Sequence, residues 1–210
     1  MNPMTQIVIA THNRGKLREF EAMRVALSTA FPGLSRIQFL PLSDWQGTPP
    51  DEDGERFIDN ALIKARAAAA LTGLPALADD SGLVVDALNG APGVYSARYA
   101  GVGATDAENN LKLQQALAGT PESQRSARYV CALALVRHAE DAHPLTAEGE
   151  WPGSMLTDPR GTEGFGYDPF FFSPEHGQTA AQMPAELKNS ISHRARALTK
   201  LLTLLGHAPL

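Results

Sequence analysis

Apolar positions along the chain fall into short blocks separated by helical stripes, and this alternation sets the expected fold. Ile7-Val8-Ile9-Ala10 is a four-residue apolar run ending in polar residues, the pattern of a buried strand. Leu17, Phe20, Met23, Ala26, Leu27 and Ala30 then recur along one face, predicting a helix from Gly15 that Phe31-Pro32-Gly33 stops. Ile37 to Leu40 reads as a second strand. The segment from Trp45 to Gly54 is acidic and rich in turn residues, with Pro49, Pro50, Asp51, Glu52 and Asp53 together. Phe57 to Leu71 predicts a helix with an alanine-rich end, closed by Gly73.

Pro75 to Ala78 and Leu83 to Val85 are two further apolar runs. Between them Asp79-Asp80-Ser81-Gly82 reads as an acidic corner joining two strands. A glycine-studded loop spans Asn89 to Gly103. Thr105-Asp106-Ala107-Glu108 has the spacing of a capping box, so a helix is expected from there to about Ala118, before Gly119. Ser126 to His138 is a long β-rich run turning near Asp141, with a partner from about Leu145 to Met155. Gly161 to Gly166 is a loop, and Pro169 to Phe172 resumes a strand. Leu198, Leu201, Leu202 and Leu205 share a stripe of a last helix ending at Gly206, with Ser192 as its N-cap. Early strands alternate with helices and the middle strands pattern as antiparallel, so the expected fold is a mixed α/β sheet with flanking helices.

Composition narrows the function. With 210 residues, 43% hydrophobic and 20% charged, the chain suits one globular domain over 1–210 or two small lobes, and no repeat or linker divides it. The net charge of −5 disfavours a polynucleotide partner, so a phosphate-bearing ligand must meet a local basic site. Cys131 is the only cysteine, lies in an apolar run and can form no internal disulfide. The first residues lack signal-peptide character, and no apolar stretch approaches the roughly 20 residues that span a bilayer. A cytoplasmic protein is expected.

Four constellations could carry chemistry. Thr11-His12-Asn13-Arg14-Gly15-Lys16 stands where a strand meets a helix, where free N–H groups and the helix dipole favour phosphate. It lacks the glycine spacing of a Walker loop, and Asn13 could equally be an N-cap. Asp79-Asp80 pairs two carboxylates that repel unless a cation or donors offset them, and hard oxygens beside phosphate suit Mg²⁺. An ordinary acidic turn is the alternative. Glu52 is either a further ligand or a solvated loop residue. Gly164-Phe165-Gly166-Tyr167-Asp168 holds an aromatic between glycines, either to stack on a base or to plug the core. Lys188 with Ser192-His193-Arg194 supplies donors to a base carbonyl or phosphate, or a solvated basic face.

Taken in order, these segments resemble the inosine triphosphate pyrophosphatases, also described as dITP/XTP pyrophosphatases. The likeness runs nearly end to end, through IVIATHNRGKLREF, FIDNALIKARAAA, ALADDSGLVVDALNGAPGVYSARYAG, GFGYDPFFF and KNSISHRARAL. It implies hydrolysis of ITP, dITP and XTP to the monophosphate and pyrophosphate, by an Mg²⁺-dependent homodimer. It also implies an elongated mixed sheet with two lobes around a nucleotide-binding cleft. Position by position, Thr11, His12, Asn13, Arg14, Gly15 and Lys16 match the triphosphate loop. Asp80 matches the metal-linked proton acceptor, Ser81 a substrate contact and Glu52 the second acidic metal ligand. Phe165, Gly166, Tyr167 and Asp168 match the segment beside the base, and Lys188, His193 and Arg194 the rest of the base pocket. One departure is Ala181-Gln182, where the family often has Ala-Glu, which bears on local tethering rather than on the matched positions. Two other readings stand beside this one: a nucleotide sensor without turnover, and a pyrophosphatase for modified pyrimidine or methylated guanine nucleotides.

Overall fold

The structure, a computed structural model, describes residues 4–11 and 14–205. His12, Asn13 and the proposed helix stop at Gly206 lie outside the described residues, as does the Arg14 side chain. The strands are β1 (Thr5–Ile9), β2 (Ile37–Pro41), β3 (Ala76–Val85), β4 (Ser126–Val136), β5 (Leu145–Met155), β6 (Phe171–Ser173) and β7 (Gln178–Thr179). They form one sheet in the order β2-β1-β3-β4-β5-β6-β7. β1 runs parallel to both β2 and β3, whereas β6 runs antiparallel to β5 and β7. The helices are α1 (Arg14–Leu27), α2 (Phe57–Thr72), α3 (Asp106–Ala116), α4 (Ala185–Ile191) and α5 (His193–Leu205). This is the mixed α/β sheet with flanking helices that the patterning predicts. Among the described residues, no helix is long and apolar enough to cross a membrane.

The chain divides into two compact units. One gathers Met1–Asp80, Cys131–Gly149 and Arg194–Leu210; the other gathers Ser81–Val130 and Glu150–His193.

In the first unit, strand alternation serves a sheet buried on both faces. Ile7 and Ile9 join Phe20 and Met23 of α1 and Leu198, Leu201 and Leu202 of α5 in one core. Val8 and Ala10 point the other way, toward Ala61, Ala65, Ala68 and Ala69 of α2. These alanines form a stripe of minimal side chains that lets α2 lie close to the sheet. Gly73 ends that helix in a left-handed conformation (φ 68°), donating its N–H to the Ala69 carbonyl at 2.9 Å.

The second unit closes around Leu83, Leu113, Trp151, Met155 and Phe171. Thr105 caps α3 as predicted: its hydroxyl accepts the Glu108 N–H at 3.3 Å, and the Glu108 carboxylate accepts the Thr105 N–H at 2.7 Å. Ser192 stands immediately before α5 with an extended backbone, also ending α4 by donating its N–H to the Lys188 carbonyl at 2.9 Å.

The structure corrects the expected acidic corner. Residues 76–85 are one uninterrupted strand of 10 residues, with Asp79 and Asp80 in its middle. The polar stretch between two apolar runs suggests a break, but each carboxylate finds cationic partners, so the strand continues through them. β7 and α4 are elements the patterning did not predict, each too short for a periodic signal.

Close packing makes Gly153 in β5 a sensitive position. A Cβ there would lie 2.5 Å from both the Phe171 ring and the Phe172 carbonyl oxygen. Gly153→Ala is expected to destabilise the protein by about 1–3 kcal/mol through overpacking, read as a lower denaturation midpoint at unchanged slope. An unchanged midpoint would contradict the packing described.

Candidate active site

In the first unit the site grows from strand alternation at Asp79 and Asp80. Consecutive strand residues face opposite sides, so the two carboxylates meet different partners. Asp79 is buried and its Oδ2 accepts the Lys16 ammonium at 2.8 Å and the Arg194 guanidinium at 3.4 Å. Arg194 also pairs with Glu19 of α1. Its Nε, also buried, has no hydrogen-bond partner among the described residues. Burial is the largest single influence on Asp79 and would raise its carboxyl. The charges of Lys16, Arg194 and Lys64 together outweigh it and hold the group far below the usual carboxylate range.

Asp80 faces α2. Its Oδ1 accepts the Lys64 ammonium at 2.7 Å, and its Oδ2 lies 3.4 Å from the Asn60 amide nitrogen. Asn60 and Lys64 are four residues apart and therefore neighbours on one helix face. Lys64 also reaches Glu52 Oε2 at 3.1 Å, so one nitrogen gathers both carboxylates predicted to hold metal. Glu52 is delivered there by its loop. Asn60 Oδ1 accepts the Gly54 N–H at 2.8 Å, and a Cβ at Gly54 would strike that same oxygen at 2.6 Å. Burial raises the Asp80 carboxyl above its ordinary value, with Glu52 adding to the rise and Lys64 opposing it. The Lys64 ammonium is disfavoured by burial, but Asp80 and Asp79 hold it protonated.

Thr11, Gly15 and Lys16 are half-buried at the end of β1 and the start of α1, and Ser81 is half-buried in β3. Two hard carboxylates within 3.1 Å of one ammonium suit a magnesium ion, which takes one or two carboxylates and completes its shell with water and phosphate oxygens. Among the described residues, no group of three or more Asp, Glu, His or Cys side chains converges to make a metal cage by itself.

The second unit holds a separate cluster around Asp168, which is 3% exposed. Its Oδ2 accepts the Lys188 ammonium at 2.6 Å and the Phe165 N–H at 2.9 Å. Lys188 lies 5.3 Å from the centre of the Phe165 ring, which is 45% exposed. Gly164 takes φ 82°, and a Cβ there would collide with Asp168 Oδ2, so the loop needs glycine at this position. Gly166 is tied to α3, donating its N–H to Asp106 at 2.7 Å and accepting the Asn110 amide at 2.8 Å. Tyr167 is buried, its hydroxyl donated to the Ser96 carbonyl at 2.8 Å, so it anchors the loop and leaves Phe165 as the presented aromatic. His193 is buried beside the Tyr129 ring at 4.9 Å. Gln182, the one departure noted from the family's pattern, is tethered: its Oε1 accepts the Thr179 N–H at 3.0 Å.

The structure brings Asp80 and Glu52 together on Lys64, and likewise Phe165, Asp168 and Lys188. Sequence reasoning missed Lys64 and Asn60, whose only sequence signal was two polar residues four apart on an alanine-rich helix. Arg194, matched by the resemblance to the base pocket, has its terminal nitrogens on Glu19 and Asp79.

With this geometry in view, comparison with known proteins is decisive for the family. The sequence profile of the Ham1 family matches residues 7–204. The chain belongs to the Ham1 family. It is 52% identical over 198 residues to the dITP/XTP pyrophosphatase of Xylella fastidiosa, covering 94% of this chain and 96% of the relative. It is 48% identical over 206 residues to that of Pseudomonas aeruginosa, covering 98% and 100%. The solved structure of a HAM1 protein from Coxiella burnetii superposes with a TM-score of 0.87 at 46% identity, covering 98% of this chain and 100% of that one.

The ionic frame predicts a pH dependence. Asp79 has its folded value depressed, so its contribution is full above the unfolded value near ~3.9 and is lost as pH falls toward the folded value. Asp79→Asn should cost about 3–5 kcal/mol at neutral pH, because it strands buried cations. The gap in melting temperature between wild type and variant should hold from about pH 8 to about pH 5 and narrow below about pH 4. A gap independent of pH, or none at neutrality, would refute this role.

Proposed function

We propose that this protein hydrolyses the deaminated purine nucleotides ITP, dITP and XTP to the monophosphate and pyrophosphate, keeping them out of nucleic acids. The observation that carries the reading is the convergence of Asp80 and Glu52 on Lys64 in a Ham1-family chain, with Lys16 on the neighbouring carboxylate. The Asp80–Glu52–Lys64 cluster handles phosphate and metal, and the Asp168 cluster handles the base. The chain acts as a single catalytic domain, working as a cytoplasmic homodimer.

Asp80 and Glu52 would hold Mg²⁺, which would supply charge neutralisation at the phosphate oxygens and polarisation of the attacking water. Asp80 accepts a proton from that water, a task suited to a carboxyl whose affinity for protons is raised by burial. Lys64 holds Asp80 and Glu52 together and would donate to the substrate's phosphate oxygens. Lys16 and the N–H groups at the start of α1, with Thr11, His12, Asn13, Arg14 and Gly15 around them, stabilise the departing pyrophosphate. Asp79 keeps Lys16 in position, and Arg194 belongs to the same frame, with its Nε left for substrate. Ser81 contacts the nucleotide next to Asp80.

At the base end Phe165 offers a stacking face, and Lys188 and His193 offer donors. Inosine and xanthosine present a carbonyl oxygen at purine position 6, where adenosine presents an amino group. A donor-lined pocket therefore accepts the keto bases and leaves adenine with donor facing donor. Each such mismatch costs about 1–3 kcal/mol, enough for roughly tenfold discrimination or more. Asp168 orders this end through Lys188 and the Phe165 backbone, and Gly166 and Tyr167 hold the loop.

The test is turnover with a substrate panel of ITP, XTP, dUTP, GTP and ATP, following pyrophosphate separately from orthophosphate. Pyrophosphate from ITP and XTP is expected, with EDTA stopping it and added Mg²⁺ restoring it. Asp80→Asn should lower turnover by about 10²–10⁴-fold while the circular dichroism spectrum stays that of wild type. Wild-type rates in the folded variant, or orthophosphate as the product, would overturn the reading.

A further inference from the structure

The Asp168 cluster reaches one residue deeper than motif or resemblance indicates. Tyr129 stands in β4 and is 8% exposed. Its hydroxyl donates to Asp168 Oδ1 at 3.1 Å, the oxygen that neither Lys188 nor the Phe165 N–H engages. The same ring lies 4.9 Å from the His193 imidazole with 17° between planes, a stacked arrangement, and 4.5 Å from Phe171. One side chain therefore touches two residues assigned to base binding, one through its hydroxyl and one through its ring.

The physical consequence follows from the carboxylate. A terminal carboxylate torsion is broad and roughly two-fold, so bonds to Oδ2 alone leave Asp168 free to rock. A donor on Oδ1 removes that freedom. The ammonium of Lys188 and the Phe165 backbone then inherit a fixed acceptor. Burial, followed by the Asp168 charge, raises the Tyr129 hydroxyl well above its ordinary ionisation range, so it remains a donor at any working pH.

We infer that Tyr129 is a positioning residue for base recognition: its hydroxyl fixes Asp168, hence Lys188 and Phe165, while its ring sets the plane of His193. The inference rests on the reading that the base binds at this cluster. Tyr129 need not touch substrate.

The experiment uses the full-length protein and four forms: wild type, Tyr129→Phe, Lys188→Met and the double variant. Tyr129→Phe removes the hydroxyl and keeps the ring. Steady-state ITP hydrolysis gives kcat and KM, calorimetry gives the Kd of inosine monophosphate, and thermal denaturation gives Tm. Tyr129→Phe is expected to raise KM and Kd about tenfold, the scale of a hydrogen bond to a charged group, with kcat held within about twofold. Its Tm should fall by no more than about 4 °C. Lys188→Met should cost at least about threefold less in the Tyr129→Phe background than in wild type, the signature of a shared pathway. KM and Kd within twofold of wild type, independent costs in the double variant, or a Tyr129→Phe protein that does not fold would each overturn the inference. A wild type that neither hydrolyses ITP nor binds the monophosphate would overturn the functional reading itself, whereas an active wild type matched by Tyr129→Phe removes this inference alone.

Discussion

Two adjacent carboxylates in the middle of a buried strand can persist only if each is met by its own cation, and this constraint organises the first unit. Strand alternation separates Asp79 from Asp80, so one faces Lys16 and Arg194 and the other faces Lys64. The two environments then push the two groups apart. Asp79 is locked in its charged form by surrounding cations, whereas burial raises Asp80 despite its lysine. This separation of two neighbouring carboxyls is what the proposed proton-acceptor role of Asp80 draws on. In the proposed mechanism the acidic pair is no contradiction: Asp79 would position the Lys16 ammonium for phosphate, and Asp80 would serve the metal end of the site.

The second unit applies the same principle with one carboxylate. Asp168 gathers Lys188, the Phe165 backbone and Tyr129, turning three separate elements into one rigid support. Phe165 can then stay exposed without a floppy loop beneath it. Glycine at 164 permits the close approach, and Asp106 and Asn110 of α3 pin Gly166. A buried hub with an exposed aromatic is what selective binding of a flat heterocycle requires: rigidity below and a free face above.

Much of this was legible in the residues. The boundaries of β5 match the expected Leu145 to Met155, and Gly73 and the Thr105 box mark helix ends through local backbone chemistry. Local signals of that kind do not depend on distant partners. What failed to show was everything fixed by distant partners. Asp79 and Asp80 read as a turn because their counter-ions lie 63 and 16 residues away in the chain. Lys64 looks like any solvated lysine until the acidic loop folds over it, and Tyr129 looks like core because its hydroxyl partner is 39 residues distant. The resemblance supplied Asp80, Glu52 and Lys188, but the side chains that hold them in place needed the fold.

The central claim is that the Asp80–Lys64–Glu52 cluster is the metal and phosphate end of the site. The most direct measurement is anomalous scattering from crystals grown with Mn²⁺ in place of Mg²⁺ and an ITP analogue carrying a non-hydrolysable α–β bridge. The account predicts a metal peak within coordination distance of Asp80 and Glu52, touching phosphate oxygens, with the Lys64 ammonium moved from the carboxylates toward the phosphates. A metal held by other carboxylates, or a Lys64 still bridging Asp80 and Glu52 beside the bound analogue, would contradict it.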